Sequence, residues 1–300
     1  MKIRLNPIVK KDLQVTVRSM RMSWGLFAYE AALTVTFLLA LLVIQSASGL
    51  GGGNIYTYLV YLFPVVAAAQ VCIVAMYVPI ITASSISGEK ERQTFDLMLT
   101  TCMSPFAIVV GKVTSAVLRI LFFVAASMPI MALSFVVGGL SWSNLFYYLL
   151  ALILFSVFAG SIGILASSLC RKSVVAVLLS FAMYFVIFFM TFLPLLCYTL
   201  ATRGELGETM LFLLINPMVF FEEVFMQMMM GESVFGREGG SFYRGDVGLL
   251  TYTLAQGKVW MFVSAGCILA LSILFMALAA WKVNPMHSGS GRRPVQKKAV

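Results

Sequence analysis

The residues best suited to chemistry or binding lie between Ile80 and Lys112, the only long polar stretch in the first 200 residues with both signs of charge. Within it, apolar residues recur at i, i+3, i+4 and i+7, which places them on one face of a short helix that begins at a Thr94 cap. These residues are Phe95, Met98, Leu99 and Cys102, and the charged run before them is Glu89, Lys90, Glu91 and Arg92. An amphipathic helix headed by such charges is typical of a surface that binds another protein.

No motif in the sequence indicates catalysis. The nucleotide-binding pattern G-x-x-x-x-G-K-[ST] does not occur, because the Gly111-Lys112 and Gly257-Lys258 pairs lack both the upstream glycine and the following hydroxyl residue. HExxH, GxSxG and clusters of Asp, Glu and His within the apolar runs are also missing. We therefore predict no catalytic residue, metal or cofactor in this chain. A transport function would need energy from elsewhere, since an ion-coupled carrier requires several intramembrane carboxylates.

The composition predicts a membrane-embedded framework for these residues. Hydrophobic residues make up 61% of the 300 residues, charged residues 11%, and the mean hydropathy is +0.97, which excludes an ordinary soluble domain. Six apolar runs are long enough to cross a bilayer. They lie near 24–46, 57–83, 106–138, 143–169, 173–200 and 259–281. We predict an all-α membrane protein with six transmembrane helices over 24–282, in which Pro64, Pro79, Pro129 and Pro194 kink their helices.

The distribution of basic residues predicts the orientation. With six spans threaded, 17 of the 21 Lys and Arg fall on the side of the two termini and of Ile80 to Lys112, and four fall on the other side. By the positive-inside rule both termini are cytoplasmic, in the cell membrane and most simply the inner membrane of a bacterium. The net charge of +9 is explained by these basic residues, which lie beside anionic lipid headgroups, and nucleic acid need not be invoked.

The segments outside the spans predict short helices and a tail. Residues 1–23 are expected to form a cytoplasmic amphipathic connecting helix with Arg18 and Arg21 on its basic face, which either only anchors the first span or also borders a partner. Residues 201–258 form an external helical loop, in which Asn216 and Pro217 start a second interfacial helix rather than a seventh span. The methionines at 226–230 suit packing better than soft-metal binding. Residues 283–300 form a basic cytoplasmic tail.

Two patterns within the spans predict contacts between helices. Glu30 lies near the cytoplasmic end of span one, and Arg119 in the inner half of span three is its candidate ion-pair partner. Independent snorkelling of the two side chains is the alternative. In span four, Ala159, Gly163 and Ser167 recur every four residues, which favours close packing inside the chain over a dimer seam.

One stretch carries a family resemblance. The run SGEKERQTFDLMLTTCMSPFAIVVGK resembles the intracellular coupling segment of type-2 ATP-binding-cassette (ABC) exporter permeases, S-x-E-K-E-x-G-T followed by hydrophobic and acidic positions and a closing Gly-Lys. The matching residues are Glu89, Glu91, Arg92, Thr94, Phe95, Leu97, Leu99, Thr101, Gly111 and Lys112. Gln93 replaces the usual Gly, Asp96 replaces Glu, and Pro105 comes later than usual. The corner at Arg171 and Lys172 resembles the short basic link between spans four and five of these permeases.

The resemblance implies a membrane-spanning subunit that forms the substrate path of an exporter. In that family two six-helix halves pair, so a second copy or a homologous permease is expected, and separate ATPase subunits hold ATP and Mg. The apolar plug in the ATPase cleft would be Phe95, Leu97, Met98 and Leu99, beside Thr94, with Glu89, Glu91 and Arg92 at its edge. Secondary contacts would come from Arg18, Arg21, Arg171 and Lys172. A self-contained carrier, channel or scaffold without an ATPase partner is the alternative, and the substrate stays open.

Overall fold

The computed structural model describes residues 19–51, 58–94, 105–139, 141–201, 207–231, 233–234, 253–254 and 258–283. Every regular element among these residues is a helix. The α-helices are α1 (Met20–Gly51), α2 (Leu62–Glu91), α3 (Pro105–Ala126), α4 (Met128–Gly138), α5 (Trp142–Leu169), α6 (Ser173–Met190), α7 (Leu193–Ala201), α8 (Pro217–Met230) and α9 (Val259–Val283), with a 3-10 helix at Gly207–Ile215 between α7 and α8.

Six stretches of the described helices are long and apolar enough to cross a membrane. They lie in α1, α2, α3 and α5, in α6 continued by α7, and in α9. Their outer faces expose large apolar side chains, for example Leu42 at 62%, Val174 at 71% and Trp281 at 59%. A surface of this kind needs hydrocarbon rather than water around it. The prediction of an all-α, multi-pass membrane protein with six spans is therefore confirmed.

Two of the predicted prolines coincide with helix breaks. Pro129 follows the break at Ser127 between α3 and α4, and Pro194 follows the break between α6 and α7. Proline has no N–H to donate and its ring clashes with the carbonyl four residues earlier, so a helix is interrupted just before it. Pro79, in contrast, lies inside the continuous helix α2.

Helix α5 is the centre of the bundle and packs against α2, α3, α6, α8 and α9. Its small residues lie inside the chain as predicted, because Ala159, Gly163 and Ser167 are buried and Gly163 lies against α2. A Cβ added at Gly163 would overlap Thr82 Oγ1 and would lie 3.2 Å from the backbone nitrogen of Ala83. The backbones of α2 and α5 thus approach so closely that only glycine fits at this position.

A buried polar cluster joins four helical segments in the middle of the bundle. Gln70 of α2 donates through Nε2 to the Tyr29 hydroxyl of α1 at 2.9 Å and to Ser127 Oγ at 3.3 Å. The Tyr148 hydroxyl of α5 donates to Gln70 Oε1 at 2.9 Å, and the Tyr29 hydroxyl donates to Ser127 Oγ at 3.2 Å. These groups satisfy one another where no water is available, so they set the rotation of each helix about its own axis.

The predicted helix start at Asn216 and Pro217 is confirmed. Asn216 Oδ1 accepts from the Met218 N–H at 2.9 Å, and Pro217 occupies the first turn of α8. The 3-10 segment from Thr209 and α8 meet at 91°, so together they do not form one straight crossing. In α8 the buried Glu223 carboxylate accepts from the Val234 N–H at 2.9 Å and from Gln227 Nε2 at 3.2 Å. That this unit is external stays a prediction.

We expect Gly163→Ala to destabilise the bundle, because the new methyl group would overlap Thr82 and meet the rigid backbone at Ala83. Overpacking of this kind costs about 1 to 3 kcal/mol. Thermal unfolding of the purified protein in detergent measures the effect. Gly266→Ala in α9 is the matched control, since nothing lies within 4 Å of its added Cβ, and it should keep or raise the melting temperature. Equal melting temperatures for the two variants would contradict the close α2–α5 contact.

Candidate functional site

Three consecutive charged residues end α2, and each binds a different helix. Glu89 Oε1 accepts from Lys112 Nζ of α3 at 2.9 Å. Lys90 binds the last turn of α5, and Glu91 binds Ser173 at the start of α6. We call this end of the bundle the basic end; its cations include Lys90, Arg92, Lys112, Arg171, Lys172 and Lys282. The three residues fasten the end of α2, where the predicted coupling segment begins, to three other spans.

The ion pair between Glu89 and Lys112 is largely shielded from solvent. The Lys112 side chain is 9% exposed and that of Glu89 is 26% exposed. Low local dielectric strengthens the attraction, and removal of either partner leaves the other charge buried and uncompensated. The pair therefore clamps the end of α2 to the first half of α3.

Lys90 caps the C-terminus of α5. Its Nζ donates to the Ser168 carbonyl at 2.6 Å and to the carbonyls of Ser167 and Cys170 at 3.3 Å each. The last carbonyls of a helix have no partner within the helix and carry the negative end of its dipole, so a cation supplied by another helix stabilises them. Lys90 thus gives α5 the cap that its own sequence lacks.

Glu91 caps the N-terminus of α6 from the same turn of α2. One carboxylate oxygen accepts from the Ser173 N–H at 3.1 Å, and the other accepts from Ser173 Oγ at 2.6 Å. The N-cap residue Lys172 makes no side-chain cap hydrogen bond. An anion here binds the free N–H groups and the positive end of the α6 dipole. The α5–α6 corner is therefore held on both sides by α2.

The chain leaves α2 through a Schellman turn. The Thr94 N–H donates to the Glu89 carbonyl at 3.0 Å, and the Gln93 N–H donates to the Lys90 carbonyl at 3.2 Å. Gln93 takes a left-handed conformation with φ of 57°, which glycine adopts without strain. This explains why the pattern that the sequence resembles has Gly at this position.

The structure brings together two of the predicted partner-binding surfaces. The corner at Arg171 and Lys172 is exposed and lies beside the end of α2, where Arg92 and Thr94 are also exposed. The predicted plug lies outside the described residues, as does Arg18, and the side chain of Arg21 in α1 also lies outside them. The plug residues are Phe95, Leu97, Met98 and Leu99.

The predicted pair of Glu30 and Arg119 is not brought together. Glu30 Oε1 and Arg119 Nε are both buried, and neither atom has a hydrogen-bond partner within the described part of the chain. The neighbour of Glu30, Tyr29, binds Ser127, which lies eight residues beyond Arg119, or about 12 Å along a helix. These two buried atoms therefore do not bind each other.

Sequence reasoning missed the contacts of four residues that shape the site. Lys90, Lys112 and Ser173 were not singled out as contacts, although each binds a neighbouring helix. Ser167 was treated only as a small residue, yet its Oγ accepts from the N–H groups of Ile86 and Ser87 at 3.0 and 2.8 Å. The available signal was the position of Lys90 in the last turn of a span, where cations bind helix C-termini.

One comparison with known proteins gives a match. The family described as ABC-2 family transporter protein matches residues 51–281, which run from the end of α1 into the last turns of α9. No curated protein matches the chain. The matched range contains Glu89, Lys90 and Glu91 together with the residues that they bind on α3, α5 and α6.

We expect Lys90→Met to lower the thermal stability, because the methionine keeps the apolar stem but removes the donor to three carbonyls of α5. Hydrogen bonds from a charged group contribute about 1.5 to 3 kcal/mol in total at such a site. Unfolding in detergent should show a drop of several degrees. Arg171→Met, at an exposed cation on the same end, is the control, and an equal drop there would contradict the capping role of Lys90.

We expect Gln93→Gly to keep or raise the melting temperature, because glycine relieves the left-handed strain at φ of 57°. A non-glycine residue in that conformation costs about 1 to 2 kcal/mol. Gln93→Val should lower the melting temperature, since a β-branched residue fits a positive φ least well. The comparison of the two variants measures the turn directly. The reverse order of stabilities would contradict the Schellman geometry.

Proposed function

The chain belongs to the ABC-2 family of transporter proteins, and from this premise we propose that it is the membrane-spanning subunit of an exporter driven by a separate ATPase. The observation that carries the proposal is the basic-end network, which fastens the end of α2 to α3, α5 and α6. A binding segment that follows such an anchored helix end passes force to most of the bundle. Family membership disfavours the alternative of a self-contained carrier, channel or scaffold.

The partner is an ABC ATPase, which the ABC-2 permease family implies and which supplies the ATP and Mg sites. By this proposal the helix predicted after Thr94 enters a cleft on the ATPase, with Phe95, Leu97, Met98 and Leu99 as its apolar plug. Closure of the ATPase subunits on ATP moves this helix. Because Glu89, Lys90 and Glu91 are bound to other helices, the movement is carried into α3, α5 and α6 together.

The contacts of the charged residues suggest a division of roles within this site. Glu89 and Glu91 are engaged inside the chain by Lys112 and Ser173, so we assign them to positioning the coupling segment. Arg92 is exposed at the turn and is the better candidate for polar contact with the partner. The exposed corner at Arg171 and Lys172 supplies a second, smaller contact.

The orientation and assembly follow from the same proposal. The basic end faces the cytoplasm, as the excess of Lys and Arg on that side favours, and the protein lies in the cell membrane, in a bacterium the inner one. A second copy or a homologous permease completes the substrate path. The ATPase subunits bind below the basic end of each half.

We expect tagged protein purified from its native membrane to bring down a nucleotide-binding chain, and Phe95→Ala with Leu99→Ala to reduce that recovery at least about tenfold. Loss of two apolar anchors from a buried cleft costs at least about 1.4 kcal/mol, a factor of ten in affinity. The recovery is measured by mass spectrometry of the eluate, and substrate-independent ATPase activity of the complex is a second readout.

The matched control is Leu178→Ala with Phe185→Ala, which removes the same two side-chain types from the exposed face of α6, where they are 65% and 61% exposed. This control should leave the recovery unchanged. Absence of any nucleotide-binding chain with the unmodified protein, or equal recovery with both double variants, would overturn the proposal.

A further inference from the structure

A polar cleft lies between α2 and α3 on the membrane side of the basic end. It has a volume of about 240 Å³, whereas about 15 Å³ is enough for one water molecule. It is lined by Ile81, Thr82, Ser84 and Ser85 of α2 and by Lys112, Ser115 and Arg119 of α3. On α3 the lining residues recur at i, i+3 and i+7, which is one helix face. The proposed coupling does not use this cleft.

The cleft carries an uncompensated positive charge. Lys112 is neutralised by Glu89 at 2.9 Å. Arg119 lies near the Tyr77 side chain, and its buried Nε has no hydrogen-bond partner among the residues that the structure describes. Arg119 lies seven residues, about 10 Å, further along α3 than Lys112. A cation at that depth is costly unless an anion or water satisfies it.

The hydroxyl groups of the cleft add an acceptor. Thr82 Oγ1 donates to the Val78 carbonyl at 2.8 Å, Ser85 Oγ to the Thr82 carbonyl at 2.9 Å, and Ser115 Oγ to the Lys112 carbonyl at 2.9 Å. The Ser85 hydrogen thus points to its own helix, and the Ser85 oxygen keeps a lone pair for a ligand. The cleft therefore offers guanidinium donors beside a neutral acceptor, which matches a phosphate that bears hydroxyl groups.

Apolar side chains flank the cleft on the outer surface. Ile80 lies one turn before Ser84 and is 45% exposed, and Phe122 lies one turn after Arg119 and is 49% exposed. Both are on lipid-length spans, α2 and α3. An amphiphile can place its anionic head at Arg119 and its chains along these two residues.

We propose that this cleft binds the phosphate headgroup of an anionic phospholipid from the leaflet at the basic end, with Arg119 as the residue that pairs with the phosphate. A phosphate satisfies the Arg119 guanidinium at this depth, because the two groups pair through two parallel hydrogen bonds. The inference does not depend on an ATPase partner. The cleft is formed by α2 and α3 of this chain alone.

The test is thermal unfolding of the full-length chain in neutral detergent with added phosphatidylglycerol or phosphatidylcholine. Near saturation we expect phosphatidylglycerol to raise the melting temperature by about 5 °C more than phosphatidylcholine does. Arg119→Gln should lose this difference, and Arg119→Lys should retain part of it. Arg171→Gln, which removes an exposed cation at the same end, should retain all of it.

Three results would overturn the proposal: no preference for phosphatidylglycerol in the unmodified protein, a full preference in Arg119→Gln, or an equal loss in Arg171→Gln. A fourth arm uses inorganic phosphate without lipid. If phosphate alone reproduces the Arg119-dependent shift, a soluble anion is the ligand and the lipid assignment is wrong. Should Arg119→Gln not fold, native mass spectrometry of the unmodified protein decides, because retention of phosphatidylglycerol no greater than that of phosphatidylcholine contradicts the site.

Discussion

The architecture depends on the close approach of α2 and α5. In a bilayer the hydrophobic effect does not drive two helices together, so association relies on dispersion contacts and hydrogen bonds. Gly163 removes the side chain that would separate the two backbones. One turn further on, Ser167 Oγ accepts two N–H groups of α2, and Lys90 closes the end of α5. The helices α1, α3, α4 and α6 also pack on α2. The α2–α5 pair therefore determines where these four helices lie.

Polar contacts occur at two levels along α2 and have different consequences. In the middle, Gln70 holds the hydroxyls of Tyr29 and Tyr148, which are neutral and fully buried in the bundle. At the basic end the contacts are charged and lie where the chain turns. A neutral cluster fixes packing without a large desolvation cost, whereas a charged cluster gives firm attachment close to water. The neutral cluster thus fixes the packing of the helices inside the bundle. The charged contacts attach α2 to its neighbours at the end where the proposed ATPase partner would bind.

Most of the fold was predictable from the sequence, because hydropathy and proline position act locally. The six spans, the interruptions before Pro129 and Pro194, the start of α8 at Asn216 and the packing of Gly163 inside the chain all follow from neighbouring residues. The contacts of Lys90 and Glu91 were not predictable, since they join residues about 80 positions apart. The pairing of Glu30 with Arg119 failed because hydropathy gives approximate depth but neither the exact level nor the direction in which a side chain points.

The caps that Lys90 and Glu91 supply to α5 and α6 impose an order on biosynthesis. Their partners follow them in the chain by 77 to 82 residues, so ribosomes adding about 5 to 20 residues per second leave these charges without their partners for about 4 to 16 seconds. During that interval the end of α2 lacks its contacts with α5 and α6. The end of α2 can therefore be fastened to α5 and α6 only after the α5–α6 hairpin has been synthesised.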